Sequence, residues 1–182
     1  MEVDLNDKLS GQLPQGIIES VRNKIVHQNK VYVRELNLRV SGMELCCEVR
    51  QHPREWRRIG QYVNKPVELL LSVNAFGKVS LQNDPYCQET RYLGYRNTED
   101  FFETITDDTP SEEYYEQLES YGVGGFGLHF DEEIGVISVP FGVLVLGATA
   151  QEQIDELGID DGSVFYWNKA SFELLSFAIT TS

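Results

Sequence analysis

The chain lacks the sequence features of membrane proteins, of secreted proteins and of proteins that contain a structural zinc site. No apolar run approaches the ~18 residues of a membrane span, and the opening segment has neither the basic start nor the apolar stretch of a signal peptide. The three cysteines leave one unpaired in any disulfide scheme, which favours reduced thiols in a cytoplasmic compartment. Neither C-x-x-C nor H-x-x-x-H occurs, so we expect no metal and no cofactor.

Basic residues are scarce in the second half of the chain. Residues 1–90 hold 12 Lys and Arg against 11 Asp and Glu, whereas residues 91–182 hold 3 against 18, and the whole chain has a formal net charge of −14. Phosphates would be repelled by such a surface, so duplex nucleic acid is not expected as a partner. A basic protein surface is the natural counterpart.

Length and composition predict one folded domain. The chain has 182 residues, of which 41% are hydrophobic, and domains usually contain about 150 residues. We predict a single α+β domain over residues 1–182, in which residues 1–13 could form a flexible N-terminal segment. A mainly antiparallel sheet with several short helices packed on it is the expected architecture, because strands and helices alternate without a regular βαβ repeat.

The expected helices come from periodicity and from capping signals. Apolar residues recur at helical spacing from Pro14 to His27. Two stretches, beginning at Thr109 and Thr149, combine a capping threonine with a glutamate three residues later, and each is followed by a glycine that can end a helix. Helices are therefore predicted at 14–27, 52–63, from 97 onwards, at 109–121 and at 149–157.

The expected strands come from alternation of apolar and polar residues. The segments 31–40 and 43–50 are predicted to form a hairpin across Ser41 and Gly42. Further strands are predicted at 67–73, 78–82, 126–130, 134–139, 142–146, 163–167 and 172–179. Residues 84–96 show no period and are interpreted as a loop.

The most distinctive feature is an acidic series between residues 99 and 133. On a helix that begins at Thr109, Glu112, Glu116 and Glu119 share one face, and no lysine relieves their repulsion. Carboxylates interleaved with tyrosines suit contact with Arg- and Lys-rich proteins, although charge runs are more often simply solvated. The predicted partner-binding residues are Glu112, Glu113, Tyr115, Glu116, Glu119, Asp131, Glu132 and Glu133.

These observations favour a non-enzymatic binding protein. It would mask a basic surface on a partner macromolecule by electrostatic and steric occlusion, in the manner of an immunity protein, an antitoxin or a phage-type inhibitor. The partner would be a basic protein such as a nucleic-acid-processing enzyme or a toxin.

One alternative is a small hydrolase-type enzyme. His129 lies two residues before Asp131, and a carboxylate beside a histidine raises its proton affinity. Cys87 is the candidate thiol nucleophile. The glycine-rich string at 122–127 matches G-x-G-x-x-G, but a predicted helix precedes it and a strand follows it, which is the reverse of a dinucleotide-binding turn.

A second alternative is a self-assembling structural subunit. Arg54, Arg57 and Arg58 cluster around Trp56. Such a cluster could hold an anion, or it could contact the acidic second half of the same chain or of a neighbouring subunit. This cluster therefore leaves a homo-oligomer open.

Overall fold

The computed structural model describes residues 13–50, 60–97 and 133–179. These residues form one ten-stranded mixed sheet and one α-helix. In chain order the elements are β1 (Gln15–His27), β2 (Lys30–Val40), β3 (Met43–Arg50), β4 (Pro66–Phe76), β5 (Val79–Ser80), β6 (Gln88–Asn97), β7 (Glu133–Val139), β8 (Gly142–Leu146), α1 (Ala148–Glu156), β9 (Val164–Trp167) and β10 (Ala170–Ile179).

The predicted α+β fold with several helices is wrong, because the protein is dominated by its sheet. The first predicted helix is strand β1. Register shifts interrupt β1 between Ile18 and Ser20, between Asn23 and Ile25, and between Ile25 and Val26. The first two shifts each add a residue to β1, which changes its side-chain phase, and the third adds a residue to β2. The strand's apolar residues consequently mimic a helical period.

The predicted loop at 84–96 is wrong from Gln88 onwards, because these residues form β6, and a bulge removes the alternation from this strand. Its register with β7 shifts between Tyr92 and Gly94, and Gly94 has a positive φ of 79°. Tyr92 and Leu93 are both buried although they are neighbours, and they belong to different apolar clusters. Simple alternation is therefore absent from this strand.

Several other predictions are confirmed. The β2–β3 hairpin turns at Ser41 and Gly42, which both have positive φ, as a tight hairpin turn requires. Strands β7 to β10 and the helix after Leu146 are present, and Gly158 takes the left-handed conformation after that helix. The predicted capping box is wrong, because α1 begins after Gly147 and has no side-chain cap. The predicted helices at 109–121 and from 97, the strand at 126–130 and most of the helix at 52–63 fall outside the described residues.

Five strands close into a barrel. Strands β1, β2 and β3 form a meander, β3 pairs in parallel with β10, β10 pairs with β4, and β4 pairs with β1 at Gln15–Ile17. This is the connectivity of an OB-type barrel, a five-stranded Greek key. The chain from Gly77 to Lys169 is inserted between the fourth and fifth barrel strands.

The insertion extends the sheet beyond the barrel. Strand β4 pairs in parallel with β8, and β7, β6, β9 and β5 follow in order. One face of this extension is continuous with the barrel interior and carries α1, which buries Ala150 and Ile154. The opposite face carries a second apolar cluster that includes Leu70 and Val143.

Candidate functional site

The outer face of β1–β3 is the first surface to consider, because OB-type barrels bind nucleic-acid strands there. Three cations of this face, whose side chains the structure describes, contact carboxylates of the same face. Arg22 pairs with Glu35, and Lys24 pairs with Glu48. Arg39 Nε lies 3.0 Å from Glu19 Oε1, and its terminal nitrogen lies 3.1 Å from Glu44 Oε1. Phosphate binding would therefore compete with existing ion pairs.

This face also offers little for base stacking. Single-strand binding combines cations with exposed aromatic rings. Among the described residues the large exposed aromatics are Tyr86 and Tyr95, and neither belongs to β1–β3, whereas Tyr32 of β2 is buried. A barrel topology alone does not establish a function, and these contacts do not favour nucleic-acid binding here.

A second surface is acidic and lies on α1 and the turn that follows it. Five exposed carboxylates define it, and we call it the α1 acidic patch: Glu152, Asp155, Glu156, Asp160 and Asp161. The patch carries negative charge only, because the chain has no Lys or Arg between Arg96 and Lys169.

Hydrogen bonds fix the α1 acidic patch against strand β6. The side-chain amide of Gln151 donates to Tyr92 Oη and to Asp155 Oδ1, each at 3.0 Å. The backbone N–H of Gly162 donates to the Tyr92 carbonyl at 2.6 Å, and the Tyr92 N–H donates to the Ser163 carbonyl at 2.9 Å. The helix and its turn therefore sit at a defined position on β6.

Two glycines allow this close approach. A Cβ on Gly94 would lie 2.5 Å from Asp161 Oδ2, and a Cβ on Gly135 would lie 1.8 Å from Gln151 Oε1. Side chains at these positions would displace the carboxylate and the amide. The glycines thus allow Asp161 and Gln151 to pack directly on the strands.

Tyrosines flank the α1 acidic patch. Tyr95 is 53% exposed. The part of Tyr95 that is removed from solvent raises the pKa of its phenol, and the negative charge of Asp155 raises it further. The pKa of Tyr92 is also raised, first by burial and further by the carboxylates of Asp155 and Asp161. Both phenols keep their protons at neutral pH. Tyr92 is buried and holds Gln151 in place, whereas the exposed ring of Tyr95 beside the carboxylates can contact a guanidinium or ammonium group.

The acidic series of the sequence begins and ends beside this patch. Asn97 of β6 and Glu133 of β7 are register partners, and Tyr95 pairs with Gly135 two positions away. Residues 98–132, which we call the acidic segment, carry 11 carboxylates and no Lys or Arg. The residues that flank the acidic segment, Asn97 and Glu133, are therefore paired two positions from Gly135, on which Gln151 of α1 packs.

The predicted partner-binding residues are only partly within the described ranges. Glu133 is exposed and is the first residue of β7. The other predicted contact residues lie outside the described residues, as does the basic cluster: Glu112, Glu113, Tyr115, Glu116, Glu119, Asp131 and Glu132, with Arg54, Trp56, Arg57 and Arg58. The self-assembling subunit stays a prediction. Sequence reasoning missed Tyr95 and the α1 acidic patch, for which the long stretch without basic residues was the available signal.

Of the residues named for the hydrolase alternative, Cys87 lies within the described residues, and the alternative stays a prediction. This residue ends a turn in which Asp84 Oδ1 accepts the Tyr86 N–H at 2.9 Å and the Asp84 carbonyl accepts the Cys87 N–H at 3.0 Å. The pKa of the Cys87 thiol is raised, first by desolvation and then by Asp84. A protonated thiol is a weak nucleophile. His129 and Asp131 lie outside the described residues.

Other site types can be reported briefly. Within the three described ranges no group of three or more His, Cys, Asp or Glu side chains is placed to hold a metal ion. No helix in those ranges is long and apolar enough to cross a membrane. No family model, curated protein or solved structure matches the chain.

Proposed function

We propose that the protein is an acidic, non-enzymatic binding protein that masks a basic surface on a partner macromolecule by electrostatic and steric occlusion. One observation carries the proposal. The acidic segment starts and ends at the Asn97–Glu133 pair, and the α1 acidic patch packs on the neighbouring positions of the same two strands. Seventeen carboxylates and no Lys or Arg thus belong to the continuous stretch 97–168.

The barrel's ion pairs support this proposal. Arg22, Lys24 and Arg39 each contact carboxylates on the barrel itself. To neutralise the acidic surface internally, these cations would have to leave partners that they already have. These three cations are therefore engaged on the barrel and do not neutralise the acidic surface.

The partner's chemistry follows from the same charges. Enzymes and toxins that act on nucleic acids present Arg and Lys to phosphates. A carboxylate-rich surface with an exposed phenol ring can bind such cations through ion pairs and a cation–π contact, and its long-range field speeds the encounter. The bound chain would then exclude the nucleic acid sterically.

Charge variants test the proposal. The immobilised protein is used to capture partners from its native host, and the captured partner is purified for titration. Glu112, Glu113, Glu116 and Glu119 are replaced by Gln in one variant, and Glu152 and Glu156 in another. Exposed ion pairs contribute about 0.2–1 kcal/mol each. Affinity should fall about 5-fold to several hundred-fold in the first variant and about 2-fold to 30-fold in the second.

A matched control separates local from overall charge. Glu44→Gln with Glu89→Gln removes two exposed carboxylates from the barrel and from the start of β6. This variant should bind within about 2-fold of the original chain, because rim charges away from a contact contribute little. Equal binding by all three variants, or losses of equal size in the control, would contradict the proposal.

A further inference from the structure

Tyr95 of β6 is an exposed aromatic residue on the side of the sheet that carries α1. Its register partner is Gly135 of β7, and cross-strand partners project to the same face of a sheet. The side chain of Gln151 in α1 occupies the position that a Cβ of Gly135 would take. The Tyr95 ring therefore lies beside Gln151, and the residue remains 53% exposed to solvent.

The carboxylate of Asp155 is held near this ring. Gln151 Nε2 donates hydrogen bonds of 3.0 Å to Tyr92 Oη and to Asp155 Oδ1, one turn further along α1. Asp155 is exposed, and its charge acts on the Tyr95 phenol. A carboxylate can accept about four hydrogen bonds, so Asp155 keeps acceptor positions for a ligand while Gln151 fixes its orientation.

The arginines of β6 project to the other face of the sheet. Arg91 and Arg96 directly adjoin Tyr92 and Tyr95 in the strand, and successive side chains of a strand point to opposite faces. Tyr92 contacts Gln151 of α1, so Arg91 projects away from α1, and Arg96 does the same beside Tyr95. These two arginines therefore do not compete for the ring and the carboxylate.

We propose that Tyr95 and Asp155 form a subsite for one arginine side chain of a protein partner. This inference rests on the proposed function, because it assigns a ligand to one position of the basic surface that the chain masks. A guanidinium group is planar, so it can stack on the exposed ring and donate an N–H to the carboxylate at the same time. A lysine ammonium is compact and strongly hydrated, and it gains less from the ring.

The subsite divides the recognition of the partner between two kinds of group. The exposed carboxylates of the α1 acidic patch attract arginine and lysine alike, because long-range attraction depends on charge and not on shape. Tyr95 responds to shape as well, since a planar cation can lie flat on its ring. The carboxylates would thus set the overall affinity, and the ring would set a preference for arginine.

Peptide titrations test the subsite on the intact protein. A fluorescent peptide of about six arginines and a lysine peptide of equal length are titrated by anisotropy at about 0.1 M salt. An exposed cation–π contact changes affinity by a factor of about 2 to 5, and the original chain should prefer the arginine peptide by such a factor. Tyr95→Leu should remove this preference, and Tyr95→Phe should retain it because the aromatic ring is kept.

Tyr86→Leu is the matched control for loss of an exposed tyrosine. Tyr86 is 92% exposed and lies in the turn before β6, outside the α1 acidic patch. Its replacement should leave the arginine preference unchanged. Equal affinity of the original chain for the two peptides, or a preference that survives in Tyr95→Leu, would overturn the proposal.

Asp155→Asn provides a second variant in which the helix contact is kept. The amide oxygen of the asparagine can still accept the hydrogen bond from Gln151, while the charge is lost. This variant should bind the arginine peptide more weakly than Glu152→Gln, which removes an exposed carboxylate from the same helix. Equal losses in the two variants would also overturn the proposal.

Failure of the proposed function gives a different result from failure of the subsite. If the proposed function is wrong, the captured partner binds the Gln variants of the acidic residues as tightly as it binds the original chain. A partner that responds to those Gln variants but not to Tyr95→Leu would retain the proposed function and overturn the subsite alone.

Discussion

Gly16 lies in β1 where this strand pairs with both β2 and β4. We expect Gly16→Ala to destabilise the barrel. Gly16 pairs with Val40 of β2 and with Val67 of β4. A Cβ there would lie 2.6 Å from the Arg39 carbonyl oxygen and 2.9 Å from a methyl group of Val40. The carbonyl belongs to a paired strand, so it cannot turn aside as a flexible side chain would.

The expected destabilisation of Gly16→Ala is about 2–4 kcal/mol. Overpacking of a tight site costs about 1–3 kcal/mol, and displacement of one backbone hydrogen bond adds about 1 kcal/mol. For a chain of this size, that corresponds to a fall of about 5–15 °C in Tm. Thermal and urea unfolding followed by circular dichroism would measure it.

Gly60→Ala is the matched control, because nothing lies within 4 Å of a Cβ at that position. We expect its stability to stay within about 0.5 kcal/mol of the original chain. If Gly16→Ala were as stable as Gly60→Ala, the close approach of β1 to Arg39 and Val40 of β2 would be refuted.

Two further predictions concern single side chains. Cys47 is buried, which raises the pKa of its thiol. A thiol reagent at about pH 8 should therefore label Cys46 and Cys87 in the folded protein and Cys47 only after unfolding. Rapid labelling of all three cysteines without denaturant would contradict this prediction. Burial also raises the pKa of Glu68, which means that folding favours its neutral form and that this stabilisation is lost as the pH rises through the folded pKa. Glu68→Gln should therefore be more stable than the original chain at neutral pH, with a difference that vanishes in acid, as urea unfolding at several pH values would show; a constant difference would contradict it.

The hairpins were predictable because their signals are local. The positive φ at Ser41 and Gly42 belongs to a turn that the sequence marks directly, and the alternation in β3 survives in the structure. The helix after Gly147 was also predictable, although its cap was not, since Thr149 lies inside the helix rather than at its start.

The barrel was not predictable from local patterns. Two bulges in β1 changed the spacing of its apolar residues, and one bulge in β6 removed its period. Closure depends on pairings such as Gly16 with Val67 and Phe172 with Cys47, which join residues far apart in the sequence. Local propensity contains no signal for such contacts.

The same limit applies to the candidate site. The charge count of the sequence reveals the acidic series. Two contacts depend on the tertiary fold instead: the hydrogen bond of Gln151 to Tyr92 and the packing of Asp161 against Gly94. Tyr95 is assigned to the candidate site because its register partner, Gly135, lies against Gln151 of α1.

Titration of the purified partner at increasing salt concentration tests the acidic surface most directly. Between about 0.1 M and 1 M salt the Debye length falls from about 10 Å to about 3 Å, so the dissociation constant should rise steadily. The rise should be shallower for the variant with Gln at 112, 113, 116 and 119. An affinity that stays constant over this range, with the same value in that variant, would show that carboxylates do not hold the partner.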